Sequence, residues 1–156
     1  MMKKALLLII ALLILVAAVF YFGLHTYFTG TEIKEALPAS MEESYPNVIR
    51  TGSFVNADFV HRGSGTASIM EVDEGMTILR LEKFSVTNGP DLYVYLTKSD
   101  SPTGDLESLG DFLDLGPLKA AMGDQNYAVR GDIEGYTTAV IWCRKYGVLF
   151  SYAVMQ

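Results

Sequence analysis

One cysteine, Cys143, one tryptophan, Trp142, and two histidines, His25 and His61, are all that 156 residues supply of these three types. A lone cysteine excludes an intrachain disulfide. It also leaves too few ligands for an iron–sulfur cluster or a structural zinc site. There is no C-x-x-C-H, so no c-type haem attachment. Past residue 50 the only histidine is His61, which excludes bis-histidine haem there. His61 with one of Met70, Met76, Met122 or Met155 stays open as an axial pair. No G-x-S-x-G, Walker A or Rossmann fingerprint stands in a suitable context. The expectation is no resident cofactor and no metal, and whether the protein is an enzyme stays open.

Basic charge is outnumbered by acidic charge beyond the N-terminus. Lys3 and Lys4 precede an uncharged run, Ala5 to Leu24. Its length of 20 residues makes about 30 Å of helix, enough to cross a hydrocarbon core. Tyr21, Phe22, Tyr27 and Phe28 mark its far end, where aromatics favour the interface. A cleaved signal peptide has a shorter apolar core and a small-residue cleavage site. No Ala-x-Ala follows this run, and no early cysteine offers a lipid anchor. The expectation is a single-pass, uncleaved anchor in the plasma membrane, with a cytoplasmic N-terminus and an extracytoplasmic C-terminal domain. All 18 acidic residues and 10 of the 12 basic ones lie beyond it, so that part carries 10 − 18 = −8. Such a charge gives no reason to bind nucleic acid.

Three segments are expected: the anchor at 1–24, an acidic stalk at 25–49 interrupted by Pro38 and Pro46, and a β domain at 50–156. The domain holds 12 of the 14 glycines, a spacing suited to many short strands. Residues 66–72 and 76–81 read as a hairpin around Asp73-Glu74-Gly75. In 91–96, Leu92, Val94 and Leu96 share one face and Tyr93 and Tyr95 the other. Residues 125–129, 136–143 and 148–154 are further strands. The fold class is all-β: an antiparallel sandwich or barrel of about eight to ten short strands behind one transmembrane helix.

Cys143 is the candidate site. Ala139, Ile141 and Cys143 share one strand face, and Val140, Trp142 and Arg144 the other. One reading is a small buried hydrophobe in a central strand. The other is a thiol activated by Arg144 and Lys145, although Arg144 points to the opposite face. His61, before a glycine-rich turn, reads as a hydrogen-bonded turn residue, since a catalytic Cys–His pair requires the two to meet. The acidic cluster Asp105, Glu107, Asp111 and Asp114 lacks the EF-hand order and reads as an exposed loop. Tyr93, Tyr95, Tyr127, Tyr136, Tyr146 and Tyr152 fit either a binding face or a core edge.

Several stretches taken in order resemble one family. They are Gly52-Ser53-Phe54, His61 with Gly63 to Thr66, Leu79 to Phe84 and Gly89 to Leu96. Leu115 to Leu118, Gly123 to Tyr127 and Val140 to Cys143 follow, with Phe150 and Ala153 after them. Over about residues 50–156 the chain is similar to the DM-thirteen domain, also called the electron-transfer DM domain, often found beside DOMON domains. The resemblance implies an extracytoplasmic β domain whose characteristic cysteine acts as a bare redox thiol. That role falls on Cys143. It further implies a membrane or periplasmic redox partner protein. Two other readings stand beside it: a binding or adhesion module in which Cys143 is only core, and a cofactor binder using the sandwich interior.

Overall fold

Alternating and β-branched segments dictate the architecture. The structure, a computed structural model, describes residues 2–21, 31–38, 47–73 and 76–156. The aromatics Phe22, Tyr27 and Phe28, the stalk residues 39–46 and the turn residues Glu74 and Gly75 lie outside them. Helix α1 covers Met2–Tyr21. Within it Lys4–Tyr21 is long and apolar enough to cross a bilayer, a property that anchors and signal sequences share.

Ten strands are described: β1 (Glu32–Lys34), β2 (Asn47–Ser53), β3 (Val55–Asn56), β4 (Gly63–Asp73), β5 (Met76–Val86), β6 (Leu92–Thr97), β7 (Phe112–Pro117), β8 (Met122–Val129), β9 (Thr138–Cys143) and β10 (Val148–Val154). They make two five-stranded sheets, ordered β1-β8-β5-β4-β2 and β3-β10-β9-β6-β7. The fold is a sandwich. All the pairings are antiparallel except β1 with β8, which is parallel. The expected hairpin is β4 and β5, with Ile69 opposite Leu79.

The main core lies between the sheets. Ile69, Leu79 and Leu81 from one sheet meet Leu96, Ile141 and Phe150 from the other. The second sheet is apolar on its outer face as well. There Tyr95, Val140, Trp142 and Leu149 form a separate cluster with Leu109, delivered by a 3-10 turn at Leu106–Leu109. Thr97 Oγ1 donates to the Leu109 carbonyl and fixes that cover. The alternation read in 92–96 and 139–143 is thus realised on both faces.

The acidic segment before residue 50 contributes strands. β2 begins at Asn47, and β1 lies along β8 with Glu32 opposite Met122. Polar groups fasten β1. Lys119 Nζ donates to both Glu35 carboxylate oxygens at 2.8 and 2.9 Å, and the Asn126 amide donates to Glu35 Oε2 at 2.7 Å. The buried Arg80 guanidinium donates to the Glu35 carbonyl at 2.7 Å and to Asn126 Oδ1 at 3.0 Å. Burial alone would raise the Glu35 pKa. The Lys119 and Asn126 hydrogen bonds and the nearby cations outweigh it, and the net shift is downward. A depressed carboxylate stabilises the fold above its unfolded pKa, and that contribution is lost as pH falls through the folded value. Acid therefore loosens β1.

Gly123 makes this pairing geometrically feasible. Its φ is +103°, and a Cβ there would lie 1.8 Å from the Ile33 carbonyl oxygen. Gly123→Ala is expected to expel β1 and to cost about 1–3 kcal/mol through the strained backbone. Hydrogen exchange checks this: protection of the Glu35 amide, which donates to the Asp124 carbonyl, should vanish while β9 and β10 stay protected.

Candidate functional site

One end of the sandwich gathers most of the chemistry-bearing groups. The registers set Gly63 opposite Val86, Ser85 opposite Met122, and Cys143 opposite both Leu92 and Val148. The starts of β1, β4, β6, β8 and β10 and the ends of β5 and β9 therefore share this end. Between Asn88–Leu92 and Pro117–Ala121 it opens into a cleft of about 300 Å³, with Thr31 on its wall. Tyr127 holds the second of these loops. Its hydroxyl donates to Gln125 Oε1 at 2.7 Å and accepts from the Lys119 amide at 3.0 Å, while Gln125 Nε2 donates to the Ala120 carbonyl at 2.8 Å. Burial raises the Tyr127 pKa, so the phenol stays a donor.

Cys143 closes β9 at this end. Its side chain belongs to the inter-sheet core and has 0% exposure. The turn 144–147 follows it directly. Burial pushes the thiol pKa up, and the charge of Asp91 adds to this; the amides of Tyr146, Lys145 and Asp91 hydrogen-bond the sulfur and oppose the rise. Activation by Arg144 is not what the geometry provides. The guanidinium lies on the other face, 3.7 Å from the Tyr93 ring centroid, where it ion-pairs with Asp114 and donates from Nε to the Tyr95 hydroxyl at 2.9 Å. Burial lifts the Tyr95 pKa, with Arg144 pulling against it.

His61 sits at the same end but has other partners. Its Nδ1 lies 2.7 Å from Asp58 Oδ2, and its ring packs on Phe150 at 4.4 Å between centroids. Asp58 Oδ1 accepts the Val60 and His61 amides, each at 2.7 Å, closing a tight turn. No sequence motif flagged Asp58, although an Asp three residues before a turn histidine is an Asx-turn signal. The His61 hydrogen bonds are the main cause that holds the Asp58 pKa down to about 2. With the folded pKa below its usual 3.8, the turn is supported above that value and loses support as pH falls toward 2. An NMR titration is expected to show the Val60 and His61 amide resonances moving together in that window. Asp58→Asn should flatten their response.

The other candidates disperse. Met70 and Met155 are buried, Met76 starts β5 at the opposite end, and Met122 alone shares the His61 end. Asp105 caps the 3-10 turn without a side-chain bond, and Asp114 belongs to Arg144. Tyr136 lies under Lys98, and Tyr152 packs partly against the outer cluster. Among the described residues no three ligating side chains converge on a metal site. The Glu35, Arg80, Lys119 and Asn126 cluster had no sequence signal, because its members are brought together only by the β1–β8 pairing.

A family model described as Electron transfer DM13 matches residues 53–155. The chain belongs to the electron transfer DM13 family. The match covers β3 through β10, strands of both sheets and the Cys143 end. DM13 membership points to a redox or electron-transfer role with a redox partner. No curated protein and no solved structure matches the chain.

Proposed function

We propose that this DM13 domain is a membrane-anchored, extracytoplasmic electron-transfer module whose reactive group is the Cys143 thiol, shielded at rest by the turn 144–147. The observation that carries this reading is the setting of the sulfur within an electron-transfer family fold. The thiol lies at a strand end of the inter-sheet core, just before a short turn. The backbone amides of Tyr146, Lys145 and Asp91 offset part of the rise that burial gives its pKa. Such donors lower the cost of a thiolate once water or a partner reaches it. Helix α1 serves as the retained anchor, with Lys3 and Lys4 at its start held in the cytoplasm.

Peroxide oxidation tests the thiol assignment. Two-electron attack of the thiol on hydrogen peroxide gives a sulfenic acid and water. The full chain in detergent is expected to gain one oxygen at Cys143, reversibly with a thiol reductant, and Cys143→Ser should gain none there. A native chain that resists while the unfolded chain oxidises would overturn the assignment.

Complete burial and the upward pKa favour a second reading, a binding module in which Cys143 is core. That reading predicts no native oxidation. Visible absorbance in the purified protein would instead favour a bound chromophore in the sandwich.

A further inference from the structure

The turn between β3 and β4 presents apolar side chains at the end of the sandwich where β1 begins. Phe59 is 84% and Val60 57% exposed. The turn that carries them is tightly held. Besides the Asp58 contacts, Thr87 Oγ1 donates to the Val60 carbonyl at 3.0 Å and Arg62 Nε donates to the Phe59 carbonyl at 3.0 Å. The Thr87 amide donates to the Arg62 carbonyl at 2.8 Å. Two apolar side chains on a braced turn are presented without the entropy loss that a loose loop would suffer on docking.

We propose that this tip dips into the bilayer that holds α1, so that the Phe59 end of the sandwich faces the membrane. The inference rests on α1 being a retained anchor. Chain reach selects the bilayer as occupant. From Tyr21 to Thr31 there are ten residue steps, which span at most about 36 Å whatever their path. Thr31 belongs to the Phe59 end, since its carbonyl accepts the Met122 amide and Met122 stands opposite Ser85. β1 and β4 are three strand positions apart, roughly 14 Å. The tip is thus within tether range of the surface, while Met76 and Asn47 lie at the far end.

Insertion of two side chains is weak for a free protein. Tethering makes it intramolecular, at an effective concentration on the order of millimolar. The chemistry suits an interface. The Arg62 guanidinium lies 5.2 Å from the Phe59 ring centroid, where it can reach headgroup phosphates while the ring sinks. The turn covering Cys143 shares this end, so a partner for that thiol would be met at the bilayer surface.

Depth-dependent quenching tests the proposal. The full chain is reconstituted into phosphatidylcholine vesicles with brominated acyl chains, as wild type, Phe59→Trp and Met76→Trp. The buried Trp142 sets the baseline. Emission from position 59 is expected to be quenched several-fold more than emission from position 76. Equal quenching at the two positions, in chains that resist carbonate extraction, overturns this proposal alone and assigns the tip to a protein partner. Chains stripped from the vesicles by carbonate overturn the anchor reading and this proposal together.

Discussion

Trp142→Ala is expected to remove about 3–5 kcal/mol of folding stability. That is a large share of the roughly 5–15 kcal/mol that separates a typical domain from its unfolded chain. The effect has two sources. Trp142 is 2% exposed, so its deletion leaves a void in the outer cluster of Tyr95, Val140, Leu149 and Leu109. It also removes the floor on which the 98–112 segment rests. Phe112 stacks on Tyr95 at 4.6 Å between centroids, and Leu109 is completely buried there. Losing Trp142 should loosen that cover before it disturbs the inter-sheet core. Urea denaturation of the full chain in detergent, followed by far-ultraviolet circular dichroism, measures the loss. Trp142→Phe, which retains most of the apolar volume, should cost clearly less. An unchanged midpoint in Trp142→Ala would mean that the outer cluster contributes nothing to stability.

The outer cluster shows what was legible in the sequence. Strict alternation in 92–96 and apolar residues on both faces of 139–143 identify a central strand pair with two buried faces, because side-chain direction in a strand is local. The same rule puts Arg144 away from Cys143, where it is found stacked on Tyr93. What covers the outer face was not legible. The segment 98–112 is rich in Ser, Asp and Gly, and scattered contacts such as buried Leu109 and Pro102, Phe112 and the Thr97 hydroxyl tie it down.

β1 was hidden for a related reason. Three residues in an acidic stretch carry no periodicity. Its placement depends on Gly123 and on Lys119 and Asn126, which lie 84 and 91 residues from Glu35. His61 was legible as a turn residue, but Asp58 and the pair they form were not. For Cys143, apolar neighbours in sequence announce burial. The three amides aimed at its sulfur are a product of the turn after it and the Asp91 loop beside it.

Those amides shape the expected behaviour of Cys143 variants. Serine at 143 would keep a polar atom near the Tyr146, Lys145 and Asp91 amides, and where its hydroxyl pairs with one of them Cys143→Ser should cost about 1 kcal/mol or less. A hydroxyl left without a partner would cost about 1–3 kcal/mol. Labelling kinetics then separate a gated thiol from a core thiol. Local openings require free energies from near zero up to the global value, and each 1.4 kcal/mol slows labelling about tenfold. Opening the 144–147 turn alone should slow a small maleimide by roughly 10–10³-fold relative to the unfolded chain. A bulky maleimide should be slowed further, because it requires more of β9 and β10 to part.

A thiol reachable only by global unfolding would match the full stability of the chain for both reagents. It would also follow urea with the global slope. The pH dependence adds a sign. Burial raises the folded thiol pKa above 9.0, so its contribution to stability is intact below that pH and is lost as pH rises through the folded value. Native labelling should therefore keep accelerating above pH 9.0, where labelling of the unfolded chain levels off. Protection from both maleimides at the global limit, together with a large stability loss in Cys143→Ser, would make electron transfer through this thiol untenable. DM13 membership would then have to act through another group at the same end, with the cleft beside Asp91 as the place to look.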